Sequence, residues 1–282
     1  MVSSSFTKEH TNICKGLAIL LMVYHHLFII PARLNEDYIS ELVFGAVNIE
    51  HSLAVFGKIC VAIFLFLSGY GMFCSIKDTV SVLDGYRSVA KRLKSFFINL
   101  WAIVLVAFPV GCITGFFKFD MLTLLQLMTG LYPKVMEWWF VCQYVMLLLI
   151  CPLLVSLLKD RGIQRMKSGF LLGIIYLIVF IGNRYWRVNA LTNFVFDYVG
   201  HLNNKMCLLI FIEGIAAARI DAFRFFILSD KKKAYLMNGV ILVVAIALRV
   251  IVVKDASMVL DFIVTTLVVF SFAFLASKTY YL

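Results

Sequence analysis

Apolar residues run through this chain in long blocks, at intervals that set its elements. Stretches near the ~20 residues needed to cross a hydrocarbon core recur at 13–30, 53–76, 96–117, 138–158, 169–182, 206–220, 234–253 and 258–276. The fifth and sixth are the shortest. Within a block such as Trp139 to Leu158 no polar–apolar alternation occurs, which predicts helices rather than the strands of a barrel. The fold class expected is therefore all-α: a polytopic transmembrane helical bundle of eight helices.

Composition narrows the picture further. Hydrophobic residues make up 62% of the 282 positions and charged ones 15%, and the mean hydropathy is +0.95. A water-facing globule needs more polar surface than that. Four prolines and no low-complexity linker predict one domain over 1–282.

The net charge of +10 would suggest nucleic acid in a soluble protein. Here its placement reads as topology. With the N-terminus inside, 17 cations, among them Lys91, Arg92 and Lys94, fall in inner segments. Eight, among them Arg33, Lys118 and Arg249, fall in outer ones, and Lys58 lies inside a span. The positive-inside rule then predicts that both termini are cytoplasmic, and no nucleic-acid partner is required. The first block is expected to be retained rather than cleaved, since it is long, is interrupted by His25 and His26, and is followed by no small-x-small site. The seven cysteines show no CxxC or other metal spacing and read as small apolar residues, so no metal is expected.

The chemistry is concentrated in the first helix, Asn12-Ile13-Cys14-Lys15-Gly16-Leu17-Ala18-Ile19-Leu20-Leu21-Met22-Val23-Tyr24-His25-His26. Ionisable groups inside a membrane helix are costly and mark function by default. Eleven positions return to within ~20° on a helix, so Lys15 and His26 share a face, with the imidazole ~16 Å deeper than the cation. His25 points ~100° away, toward a neighbouring helix. An imidazole suits proton removal from a hydroxyl near neutral pH, while the structural alternative is a pair of interhelical hydrogen bonds. Glu213 reads as the one carboxylate buried in a span, able either to orient His26 or to pair with a cation. Trp138 and Trp139 read as an interfacial aromatic belt. Outer segments at 31–52 and 183–205 hold polar and aromatic side chains that would suit sugar hydroxyls.

Lys15, ten residues, then His26 resembles the first-helix signature of membrane-bound acyltransferase family 3, the O-acyltransferases of surface polysaccharides and related sugars. Val61-Ala62-Ile63-Phe64-Leu65-Phe66-Leu67-Ser68-Gly69-Tyr70-Gly71 is similar to that family's second helix, and Lys91-Arg92-Leu93-Lys94 to the basic segment before its third. Trp138-Trp139-Phe140 and Phe211-Ile212-Glu213-Gly214 resemble later landmarks. Asn12 stands where the family often has an acidic residue. No late Ser-aromatic-Leu-Ile-His segment precedes Leu282, so the family's last helices are expected to be missing.

The resemblance implies an acyl-CoA donor, acetyl-CoA above all, as substrate rather than permanent cofactor, and a carbohydrate acceptor. It implies a multi-pass protein of a bacterial cell membrane. It assigns His26 as general base, Lys15, Lys91, Arg92 and Lys94 to the donor phosphates, with Arg92 leading because a guanidinium holds phosphate bidentately, and His25 and Glu213 to supporting positions. Ser68, Gly69 and Gly71 read as a close helix contact, since no GxSxG turn surrounds Ser68. A transporter or flippase for a glycan or lipid-linked precursor stays open as the alternative; it would show repeated halves and paired broken helices, and neither is evident.

Overall fold

The computed structural model describes residues 6–30, 43–44, 47–79, 81–131, 138–160, 162–252 and 260–279. Each apolar block becomes a helix whose start is set by local chemistry. The first, α1 (Lys8–Phe28), opens at Thr7 in a reciprocal cap: the His10 N–H donates to Thr7 Oγ1 at 3.3 Å, and the Thr7 N–H donates to His10 Nδ1 at 3.0 Å. Asn48 caps α2 (Ile49–Gly57) in the simpler way, and α3 (Ile59–Ile76) follows after a turn at Lys58. The expected span 53–76 is thus two helices, with the Lys58 cation at their junction.

Ser81 caps α4 (Val82–Ile113) and its hydroxyl accepts from the Asp84 N–H; Asp84 then pairs with Arg87 at 2.5 Å. The helix therefore begins 14 residues before the expected 96, and the basic segment is helical rather than a loop ahead of it. The others are α5 (Met121–Thr129), α6 (Trp139–Lys159), α7 (Ile163–Tyr185), α8 (Ala190–Val199), α9 (Lys205–Arg219), α10 (Lys231–Val252) and α11 (Asp261–Thr279). All eight expected spans coincide with helices. The short α5 and α8 are additional, because asparagine and aspartate caps at Asn189 and Asp120 start helices in segments expected to be loops. One short antiparallel pairing, Val43–Phe44 with Val47–Asn48, is the strand structure among the described residues.

Among the described residues, five helical segments are long and apolar enough to cross a membrane: Ile49–Ile76, Val82–Ile113, Trp139–Lys159, Ile163–Gly182 and Lys231–Ile251. The apolar part of α11 is shorter, and α1, with its two lysines and its histidines, is not among the five. The chain is an all-α integral membrane protein.

Two compact units divide it: residues 1–71 with 209–282, and residues 72–208. In the first, α1 packs on α2 and α11, and α10 packs on α2 and α11. The core includes an aromatic cluster in which Phe6, Tyr70, Phe223 and Phe270 meet edge-on or tilted at 5.0–6.2 Å. In the second unit α6 is the axis. Almost every residue from Val141 to Ser156 is buried, with α4, α7 and α8 packed around it. The outward faces of α4 and α7 carry exposed Leu105, Val106, Ile113, Phe170, Leu177 and Phe180. Such apolar stripes suit lipid.

Candidate functional site

In the first unit the site is built on α1. Its register carries Lys15 to an exposed position and leaves His25 and His26 half-buried near its C-terminal end. His25 is fixed: its Nδ1 lies 2.7 Å from the Ala54 carbonyl oxygen of α2. A carbonyl can only accept, so Nδ1 carries the proton and Nε2 keeps a lone pair in the neutral ring. Gly57, one turn on, permits this approach, since a Cβ there would lie 2.7 Å from the Leu21 carbonyl oxygen and 3.1 Å from His25 Cβ. The bond from His25 to a neighbouring helix is the one expected from its helical phase.

The His26 ring meets that of His25 edge-on, with centroids 5.3 Å apart at 70°. Among the described residues the His26 side chain makes no hydrogen bond. Its ring nitrogens are therefore uncommitted to protein partners there, as a group that must exchange a proton with substrate requires.

Glu213 lies on α9. Thr266 Oγ1 of α11 donates to its Oε1 at 2.5 Å, while its Oε2 is buried without a partner among the described residues. No described hydrogen bond joins Glu213 to His26. Nor is Glu213 the one buried carboxylate of the spans. Asp261, in the first turn of α11, is 0% exposed, and so is Arg249 of α10, whose Nε donates to Asp261 Oδ1 at 2.5 Å. Arg249 is a buried partner of Asp261 and not the outer-loop cation expected. Each charge stands at the end of its own apolar run, where it reads as a loop residue; only the folded α10–α11 hairpin brings the two together. The spacing of a lone cation and a lone anion across one hairpin was the available signal.

In the second unit the basic segment forms a site of its own. Ser88, Lys91, Arg92 and Ser95 stand at i, i+3, i+4 and i+7 of α4, on one helical face. With Met72 and Ser75 from the end of α3 they line a cavity of about 390 Å³. Lys94 lies on the same helix, exposed, outside that lining. Ser88 and Ser95 were not legible as site residues, because α4 was expected to begin after them. Two cations and three hydroxyls in one recess make a donor-rich surface suited to phosphate oxygens. A second cavity, of about 440 Å³, lies at the α3–α4 turn, where Thr79, Ser81, Ser156 and Lys159 face it. Of the outer segments, residues 31–42 lie outside the described residues. In the other, Arg187 pairs with Asp197 at 2.5 Å, and burial pushes the His201 imidazole below its ordinary value, with Asp197 opposing.

Five helical segments of membrane-spanning length and composition define an integral membrane protein. The chain matches acyltransferase family 3, described as an acyltransferase domain, over residues 11–280, and it belongs to that family. Among curated proteins and among solved structures no significant match is found.

Proposed function

We propose that this membrane acyltransferase moves an acetyl group from cytoplasmic acetyl-CoA onto a hydroxyl of a cell-surface or exported polysaccharide, at a bacterial cell membrane. The observation that carries this reading is the recess on α4, where Lys91, Arg92, Ser75, Ser88 and Ser95 gather around space for a phosphate-bearing group. It suits a charged donor better than a neutral one, since fixed cations favour phosphate oxygens. Lys15 and Lys94 supply further positive charge for the donor.

His26 is the general base in this reading. It takes the proton of the acceptor hydroxyl as that oxygen attacks the acyl carbonyl, and later returns a proton to the leaving thiolate. His25, held by Ala54, keeps the neighbouring ring in place. Glu213 tethers α9 to α11 through Thr266.

Mass spectrometry of surface glycans from cells with and without the gene tests the reading. An acetyl-sized increment that depends on the gene and on His26 supports it. Glycans of identical mass that differ only in the amount exported would point to transport instead.

A further inference from the structure

Arg249 engages one of its five N–H donors. Nε reaches Asp261, while Nη1, Nη2 and the second carboxylate oxygen, Oδ2, have no partner among the described residues, although both side chains are 0% exposed. Unpartnered charged donors in a buried site are expensive, so a guanidinium left in this state calls for an oxygen-bearing guest. Its neighbourhood says which. α10 packs on α2, the helix whose Ala54 carbonyl holds His25. The His25 ring in turn contacts that of His26.

We propose that Arg249 is the oxyanion-binding group of the acyl transfer, held through Nε by Asp261 so that Nη1 and Nη2 are left to donate to the acyl carbonyl oxygen. This rests on the acyl-transfer reading above. The acceptor hydroxyl oxygen attacks the carbonyl carbon, a C–O bond forms, and the π electron pair moves onto the carbonyl oxygen. His26 receives the hydroxyl proton. The oxyanion sits against the Arg249 fork, then collapses; the C–S bond breaks and the thiolate takes the proton from His26. Exclusion of water makes the fork effective, because preorganised donors act most strongly where the dielectric is low. Asp261 is a positioning residue: it holds Nε and leaves Nη1 and Nη2 unengaged.

The test uses full-length protein in native membranes, with acetyl-CoA labelled in the acetyl group and glycan-bound label as readout. The double variant Arg249→Met with Asp261→Leu leaves no lone charge, a replacement that buried ion pairs commonly tolerate. It should reach wild-type membrane levels and bind acetyl-CoA normally, yet transfer ~10²–10³-fold less, the usual cost of losing an oxyanion donor. The exchange Arg249→Asp with Asp261→Arg keeps an ion pair but moves the fork, and should also accumulate without transferring. Transfer restored by the exchange, transfer near wild type in the double variant, or failure of the double variant to accumulate would each overturn the proposal and make the pair a helix staple. Wild-type membranes that transfer no label would instead sink the acyl-transfer reading itself.

Discussion

Gly69 of α3 and Gly214 of α9 are reciprocally docked: Gly69 lies against the Phe211 carbonyl oxygen, and Gly214 against that of Phe66. Each helix presents its glycine to the backbone of the other, three residues from the partner's own. Without a side chain at either position the two backbones approach more closely than any Cβ allows. Substituting alanine at either glycine should destabilise the protein by ~1–3 kcal/mol, the common cost of overpacking, and replacing both should cost more. Thermal unfolding in detergent measures this. A variant as stable as wild type would mean that the helices can separate without loss.

His26→Ala should lower acetyl transfer by ~10²–10⁴-fold, the cost of removing a general base, with membrane abundance unchanged. His25→Ala should cost much less, because the Ala54 bond makes His25 a support for its neighbour. Glycan acetylation per unit of membrane protein is the measurement. The reverse order of effects would identify the lone pair on His25 Nε2 as the base.

Arg92→Ala should weaken acetyl-CoA binding, while Lys94→Ala, outside the lining of the recess, should weaken it less. Ser88→Val and Ser95→Val each remove a hydroxyl from the same recess and should act in the same direction as Arg92→Ala. Equilibrium binding of labelled acetyl-CoA to purified protein reads these out. If Arg92→Ala lowers only the amount of protein in the membrane, the cation is a topology anchor.

His201 supplies a pH dependence outside the spans. Burial holds its imidazole below the ordinary value, against the pull of Asp197. A lowered folded value means that the unfolded chain binds the proton first as pH falls. The contribution of His201 is therefore complete above the unfolded pKa of about 6.5 and is lost as pH drops below it. His201→Gln should flatten the acid side of the stability profile, measured as unfolding temperature against pH. An unchanged profile would place the titration elsewhere.

The eight apolar blocks were legible as helices because long apolar runs have few other uses, and the placing of Lys15 and His26 on one helical face followed from phase. What local pattern could not supply was depth. Nothing around Arg249 or Asp261 distinguishes a charge at a loop from a charge folded inward, since only the partner helix makes burial tolerable. Lys91 and Arg92 were recognisable as a basic segment. That segment's neighbours Ser88 and Ser95 became site residues only once Ser81 was seen to start the helix early enough to bring all four onto one face. Glu213 was recognisable as a buried carboxylate, while its bond from Thr266 of α11 depends on a contact between helices that local pattern does not encode.

The distribution of thiols turns the protein into its own reporter of sidedness. Five of the seven cysteines are buried and Cys112 is half-buried, while Cys74 alone is exposed, next in the chain to Ser75 of the cation-lined recess. A maleimide that cannot cross lipid will therefore find its principal target beside the recess, in the native sequence. Its reactivity in sealed vesicles of known orientation would show from which compartment the recess is entered, and protection of the same thiol by acetyl-CoA would show what enters it.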